Sequence, residues 1–370
     1  MKILYTNFHP RNGGGHVTYI LNLARGLAGS HQVTVATPGS SRLYRYARAI
    51  PGVSVVDVPF STRASAFFGE RAAFRRLLRD GGFDVIHVNG SSDHRLVMLA
   101  SAGLRHVPVV FTKHNDLPLA SFGHRLRAAL ATDHVIAVSH YVEGLVRRSP
   151  YGRMPISMIH HGVDTRYFAP PQENTRAELR RRYFGSGEQG KVLLGSAGGT
   201  DYDKGWLDLL AAIAALPAAQ RQQFRVMVAG DIPNEAKMAR VRELGMTDQV
   251  VFPGLLDDVR PALAACDVGF VLSYREALSF ACREVMSLGL PALVSAAGGL
   301  PENVSDGQDG WVVPVRDPRA IGQVLQSILA DPARVTAMGH AARDKSAREF
   351  NLDRFVTATA DVYQRALQRA

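Results

Sequence analysis

The chain has 370 residues, 46% of them hydrophobic and 21% charged, with two cysteines and a net charge of +10. That length exceeds the ~250–300 residues at which a single core stops growing, so two domains are expected. The composition excludes a disordered chain, a disulfide framework and a thiolate metal site, and no apolar run reaches the ~18 residues of a membrane-spanning helix.

The charge is uneven. Residues 1–164 carry 19 Lys and Arg against 9 Asp and Glu, and the remainder is balanced, so the whole excess lies in the first half. A one-sided basic surface suits anionic partners such as nucleic acid, a phospholipid surface or a phosphorylated substrate. It is equally compatible with a solubility device.

The opening MKILYTNFHPR is expected to be a core strand and not a signal peptide, because its apolar stretch is short and flanked by polar residues. KILYT, QVTVAT, VSVVDV, FDVIHV, PVVFT and HVIAVS read as strands, with NLARGLAG, AAFRRLLRD, HRLRAALA and YVEGLVRR as helices between them. That alternation predicts a parallel sheet covered on both faces. HHGVDTRYFAPPQENTR interrupts it with Gly, Pro and polar residues and reads as a linker.

A second series follows: VLLGSAG, FRVMVAG, QVVFPG, DVGFVLS, PALVS and GWVVP. Its helices include WLDLLAAIAAL, EAKMARVREL, VRPALAAC and SFACREVMSLG, and the chain is expected to be helical from Ala320 onward. The predicted fold is therefore α/β, two Rossmann-like doubly wound domains facing across a cleft at the strand carboxyl ends. The expected boundaries are 1–165 for the first domain and 166–350 for the second, with 351–370 completing the first.

Three segments carry candidate chemistry. In Glu276-Ala-Leu-Ser-Phe-Ala-Cys-Arg-Glu284, one glutamate closes a strand-end loop and the other lies inside the next helix. The start of that helix, Ser279, Phe280 and Ala281, offers backbone amides and a positive dipole end to a phosphate. Carboxylates on either side suit vicinal hydroxyls of a sugar or ribose. Spacing alone favours the plainer reading, in which Glu276 caps the helix and Glu284 is solvated. The loops Ala297-Gly298-Gly299-Leu300-Pro301-Glu302-Asn303-Val304 and Gly198-Gly199-Thr-Asp-Tyr-Asp-Lys204-Gly205 each follow a strand. Lys204 is placed to neutralise a diphosphate, although a lone loop lysine is also an ordinary surface charge.

In combination these segments resemble the large family-four glycosyltransferases, retaining enzymes of the GT-B fold. The resemblance includes Asn12-Gly-Gly-Gly-His16 after the first strand and HGVD near the linker, and it runs through essentially the whole chain. It implies that Glu276 binds donor-sugar hydroxyls beside the reacting face and that Glu284 holds the ribose. It gives the amides of Ser279, Phe280 and Ala281 to the diphosphate, with Lys204 stabilising the charge that develops there. Gly14 and Gly15, in the loop Gly13 to Gly15, are implied to approach the donor phosphates, and His114 the donor sugar. Gly254 and Leu255 fall in the base-binding region. Catalysis is expected to need no metal and no cofactor, the nucleotide sugar being a substrate.

The implied reaction moves a hexose or N-acetylhexosamine, with UDP-sugar as the expected donor, onto a lipid-linked, lipopolysaccharide or polysaccharide acceptor. Retention is expected through front-face attack, with a covalent intermediate on Glu276 as the alternative. The family's usual arginine, five or six positions before the lysine, is replaced here by Gly198 and Gly199. Arg275 and Arg283 are the candidates to compensate.

The stretch Ser61–Arg79 mixes aromatic and basic residues. Phe74, Leu77 and Leu78 are expected to face the sheet. Phe67, Phe68 and the arginines suit an anionic membrane surface. The protein is expected in the cytoplasm, peripheral on the inner face of the membrane. A sugar-nucleotide epimerase would share two such domains but not the paired glutamates. Nucleic acid is not an expected partner, since aromatic stacking signatures are absent.

Overall fold

The computed structural model describes residues 1–10, 14–61 and 64–369, apart from the side chains of Ala64, Ala66 and Phe67. Asn12 and Gly13 of the glycine loop, and the Phe67 ring, lie outside what is described. The chain divides into two compact units, Met1–Gly162 with Leu352–Ala370, and Val163–Asn351.

In the first unit the strands are β1 Lys2–Thr6, β2 Gln32–Thr37, β3 Val53–Asp57, β4 Val85–Val88, β5 Val109–Lys113, β6 His134–Ala137 and β7 Ile156–Met158. They form a parallel sheet in the order β3-β2-β1-β4-β5-β6-β7. Ile3 pairs with Val33 on one side and Val85 on the other, so β1 is central, and its Ile3, Leu4 and Tyr5 are fully buried. The strand order reverses between β1 and β4, which makes the carboxyl ends of those two strands the natural ligand crevice of this unit.

The closing helix Leu352–Leu367 belongs to this unit. It buries Phe355, Val356, Val362 and Tyr363. Tyr363 reaches a polar group inside the sheet layer: its hydroxyl lies 2.8 Å from that of Tyr5 and 2.6 Å from His87 Nδ1. His87 Nε2 in turn lies 2.6 Å from Thr112 Oγ1, and Tyr19 reaches the same hydroxyl at 3.1 Å. Burying five polar side chains is tolerable because each is paired.

The second unit holds β8 Val192–Ser196, β9 Phe224–Val228, β10 Val250–Val251, β11 Val268–Val271, β12 Ala292–Ser295 and β13 Gly310–Val313. The parallel order is β10-β9-β8-β11-β12-β13, reversing between β8 and β11. Trp206, Leu209, Leu210, Phe224 and Phe270 form part of the core on one face, and Val285, Met286, Leu288 and Leu300 part of that on the other.

Several elements escape the sequence reading. The helix Glu173–Phe184 begins inside the segment expected to be a linker. It buries only Phe184, so it carries no apolar stripe by which a periodicity could announce it. The helices Arg42–Ala47 and Ser91–Ser101 and the three-residue edge strand β7 are also additional. The helix predicted around residues 72–80 starts earlier and spans Ala64–Gly81. Among the described residues no helix is long and apolar enough to cross a membrane.

Candidate active site

In the second unit, Lys204 and Glu276 sit in the loops after β8 and β11, the two strands that flank the reversal of strand order. Lys204 ends a short 3₁₀ turn, Tyr202–Lys204, and Gly205 follows with φ 69°. Only glycine fits there, because a Cβ would overlap the carbonyl oxygen of Leu272 at the end of β11. The turn is tied to the β11 loop again by the Tyr274 N–H, which donates to the Asp203 carbonyl at 2.7 Å. Lys204 Nζ thereby stands 3.7 Å from Glu276 Oε2, both side chains partly exposed.

The Glu276 carbonyl accepts from Gly299 N–H at 3.1 Å, which links its loop to the glycine pair after β12. Beyond Glu276 the chain reverses at Ser279, whose φ of 93° is costly for a residue with a Cβ. Ser279 caps the helix Phe280–Ser287, its Oγ accepting from Cys282 N–H at 3.3 Å. The strained turn is held from below. Arg283 Nε donates to Asn303 Oδ1 at 2.7 Å, and Asn303 Nδ2 donates to the carbonyls of Leu278 at 2.5 Å and Leu300 at 2.9 Å.

Arg283 is therefore a structural residue. It is fully buried, with its guanidinium 4.1 Å from the centre of the Phe350 ring, and burial lowers its pKa to about 9. The expectation that it compensates for the missing arginine is corrected on that ground. Arg275 is exposed in the Glu276 loop.

Glu284 lies one turn into the same helix, partly buried. No described residue gives its carboxylate a hydrogen bond, and desolvation pushes it up to about 7. The helix start at Phe280 and Ala281 carries the positive end of the helix dipole.

Gly198 and Gly199 occupy the loop that leads from β8 to Lys204. Gly199 has φ 92° and packs against Gly230, where an added Cβ would lie 2.6 Å from the Gly199 Cα. Gly198 has ordinary φ and nothing closer to an added Cβ than Ser196 Oγ at 3.3 Å. Gly230 N–H donates to the Gly254 carbonyl at 3.1 Å, so the loops after β8, β9 and β10 are laced together. Leu255, next to Gly254, is 59% exposed, and Ile232 beside it is 68% exposed. These are apolar surfaces on which an aromatic base can stack.

The first unit carries Gly14, Gly15 and His114. Gly14 has φ 50° and precedes the helix Gly15–Leu27. His114 follows β5 and stacks on His16 at 4.2 Å between ring centres, and His16 meets His9 edge-on at 4.7 Å. Burial and the neighbouring imidazoles hold His114 well below 6.5, so it is neutral at physiological pH. Its Nε2 lies 2.8 Å from Asn89 Oδ1, a partner the sequence reading missed. Lys113, at the end of β5, is also buried and depressed to about 8, with its ammonium bonded to Asn115 Oδ1 and the Leu117 carbonyl.

On the helix Ala64–Gly81, Phe74 and Leu78 are buried and Phe68 is 73% exposed. Two of its arginines are engaged inside the unit. Arg71 Nε donates to the Leu99 carbonyl, and Arg75 Nη1 to those of Ala100 and Ala102, all at the end of the helix Ser91–Ser101. The expectation that the arginines of this stretch meet an anionic membrane surface is narrowed accordingly at Arg71 and Arg75. An apolar cavity of about 520 Å³ lies between β3 and the Ala64–Gly81 helix, lined by Val56, Val58, Pro59, Ala73, Phe74 and Leu77 among others.

Two family models match, one described as glycosyltransferase family 4 over residues 13–167, the other as glycosyl transferases group 1 over residues 181–345. The chain is 32% identical over 216 residues to a 2-deoxystreptamine glucosyltransferase of Streptomyces kanamyceticus, covering 57% of this chain and 55% of that one. It is 28% identical over 361 residues, 92% of each chain, to a GDP-mannose-dependent α-(1-6)-phosphatidylinositol monomannoside mannosyltransferase of Mycolicibacterium smegmatis. The chain thus spans little more than half the length of the first relative and nearly all of the second. Anabaena HepE, solved in complex with UDP, superposes with a TM-score of 0.83 at 19% identity, over 98% of this chain and 100% of that one. Two parallel Rossmann-like sheets, with the two family models matched in succession along them, make this chain a member of the family-four glycosyltransferases of GT-B fold.

Proposed function

We propose that the protein is a retaining glycosyltransferase that moves a hexose or N-acetylhexosamine from a nucleoside diphosphate sugar to an acceptor. The observation that carries this reading is the second unit's strand-order reversal, with Lys204 and Glu276 3.7 Å apart beside a helix start followed by Glu284. An ammonium and a helix N-terminus suit a diphosphate, and the two carboxylates suit the hydroxyls on either side of it.

In this reading Glu284 holds the ribose, the amides of Phe280 and Ala281 hold the β-phosphate, and Glu276 orients the sugar. The anomeric carbon–oxygen bond breaks as charge grows on the leaving phosphate, where Lys204 and the helix dipole already point. The acceptor oxygen attacks from the same face, and its proton passes to the departing phosphate oxygen. Glu276 is paired with Lys204, which suits an orienting carboxylate better than a nucleophile. These protein groups supply the positive charge that a divalent ion supplies elsewhere, so the transfer is proposed to be metal-independent.

UDP-sugars are the first donors to test, supported by the UDP complex of the Anabaena protein of the same fold. GDP-mannose, the donor named for the M. smegmatis relative, is second. A lipid-linked or polysaccharide acceptor is proposed. That relative's phosphatidylinositol mannoside acceptor, the apolar cavity by β3 and the exposed Phe68 favour a lipid.

The test is calorimetry of nucleotides and nucleotide sugars without added metal, on wild type and Glu284→Ala, followed by transfer assays with chelator present. Tight binding of one nucleotide series, weakened in the variant, supports the reading. Absence of binding to any nucleotide overturns it.

A further inference from the structure

We infer that Asn89 is a positioning residue that holds His114 as the tautomer protonated on Nε2, leaving Nδ1 as an acceptor offered to a substrate hydroxyl. The second half rests on the proposed transferase reading, and the first half stands on geometry alone.

Asn89 follows β4, on one side of the strand-order reversal of the first unit, and is buried. Its Nδ2 lies 3.1 Å from the Thr6 carbonyl oxygen and 3.3 Å from that of His87. Carbonyl oxygens only accept, so the amide nitrogen must face them, and that assigns the other end of the side chain as Oδ1. Oδ1 then faces His114 Nε2 at 2.8 Å. An amide oxygen also only accepts, so Nε2 must carry the proton.

The amide has little freedom to turn over. The Asn89 N–H donates to Asp93 Oδ2 at 2.9 Å, and the same oxygen accepts from Thr6 Oγ1 at 2.8 Å and Gly90 N–H at 3.2 Å. A flip would set Oδ1, an acceptor, against two carbonyl oxygens, which are acceptors too, in a dry site.

The groups that face His114 keep it neutral. His9 comes from the loop after β1, His16 and the edge of the Tyr19 ring from the helix Gly15–Leu27, His87 from β4 and His161 from the segment after β7. None of these is a carboxylate, so no contact among the described residues favours an imidazolium. Nδ1 receives no hydrogen bond from any described residue. A neutral imidazole with a fixed donor on one side and an open lone pair on the other accepts an O–H and does not donate to one. That suits a sugar or acceptor hydroxyl next to a reacting centre, where a cation would oppose oxocarbenium-like charge.

The direct test uses wild type. The protein is labelled with ¹⁵N at its histidines, the His114 signals are assigned by difference from His114→Gln, and long-range ¹H–¹⁵N spectra are recorded from pH 8 to 5.5. The expected pattern is Nε2–H with Nδ1 unprotonated across the range. Protonation on Nδ1, or a mixture of tautomers, overturns the inference.

Kinetics at saturating donor add a second readout. Asn89→Asp, in its ionised form, sets a charged acceptor against Nε2 and raises the proton affinity of His114. Its kcat should then fall toward acid pH, with an acid limb that wild type lacks under the same conditions. Asn89→Leu should lower kcat/KM roughly tenfold at all pH values, the scale of one orienting hydrogen bond lost, with nucleotide affinity unchanged. If neither variant folds, the wild-type spectrum decides. An Nε2–H signal together with full activity in His114→Gln overturns the substrate-facing half and the role that the family resemblance implies for His114, while the tautomer assignment stands.

Discussion

Lys204 Nζ and Glu276 Oε2 are 3.7 Å apart although 72 residues separate them in the chain, because β8 and β11 are neighbours at the strand-order reversal. Among the described residues the ammonium meets one carboxylate, that of Glu276, on one side. Lys204→Met is expected to lower kcat by about 10²–10³-fold, the usual loss when one preorganised charge is removed from a leaving group. Nucleotide affinity should fall less, since amides share the phosphate. Glu276→Gln should also lower kcat, and equal transfer by both variants and wild type would remove the pair from the mechanism.

On the proposed reading, Glu284 gives donor binding a pH dependence. Desolvation raises its carboxyl to about 7, and only the ionised form accepts both ribose hydroxyls. Affinity for the nucleotide should therefore fall roughly tenfold between pH 8 and pH 6, following the ionised fraction. Calorimetry at five pH values checks this, and the slope should vanish in Glu284→Gln.

The same shift has a stability consequence of opposite sign. Because the folded carboxyl binds its proton more tightly than the unfolded one, stability falls as pH rises from about 4.5 through 7. Without ligand, Glu284→Gln should be more stable than wild type at pH 8 by about 1–2 kcal/mol, allowing for the solvent that still reaches the group. The difference should disappear near pH 4.5. Thermal melts at both pH values are sufficient.

Gly198 and Gly199 are not equivalent places to restore an arginine. Gly198→Arg meets only Ser196 Oγ at 3.3 Å, whereas Gly199→Arg must adopt φ 92° beside Gly230. The first is expected to fold normally and bind nucleoside diphosphates several-fold more tightly. The second should lose about 1–3 kcal/mol of stability to backbone strain. Melting temperatures and diphosphate titrations of the pair distinguish these outcomes.

Arg283 works through Asn303 and Leu278. Arg283→Met deletes a buried donor, strands Asn303 Oδ1 and loosens the turn that holds Ser279 at φ 93°. A loss of about 2–4 kcal/mol is expected, as for other broken buried charge networks. Diphosphate affinity should drop in the surviving folded fraction. An unchanged melting temperature would contradict the structural role.

For the first unit, adsorption to anionic vesicles at low salt should depend on Phe68 and not on Arg75. Phe68→Ala removes an exposed ring, whereas Arg75→Ala removes hydrogen bonds to the Ala100 and Ala102 carbonyls and should cost about 1–2 kcal/mol of stability. Flotation assays and melts separate the two. Failure of wild type to adsorb would exclude an anionic membrane surface as a partner.

Local sequence carried the alternation of strands and helices and the residues that close each strand, because period, glycine and proline act within a few positions. Lys204, Glu276 and Glu284 were legible for that reason, each beside a strand end or a helix start. The helix Glu173–Phe184 was not, since a helix with a single buried residue has no stripe to detect. Nor was the fate of Arg283, Arg71 and Arg75, whose partners lie 20 or more residues away. The tautomer of His114 depends on an amide 25 residues upstream, itself oriented by carbonyls on β1 and β4. Which charges are engaged and which remain open was decided by tertiary hydrogen bonding. A charged side chain has the same local signature in solvent as beside a buried carbonyl, and only the packed strands determine which of the two it meets.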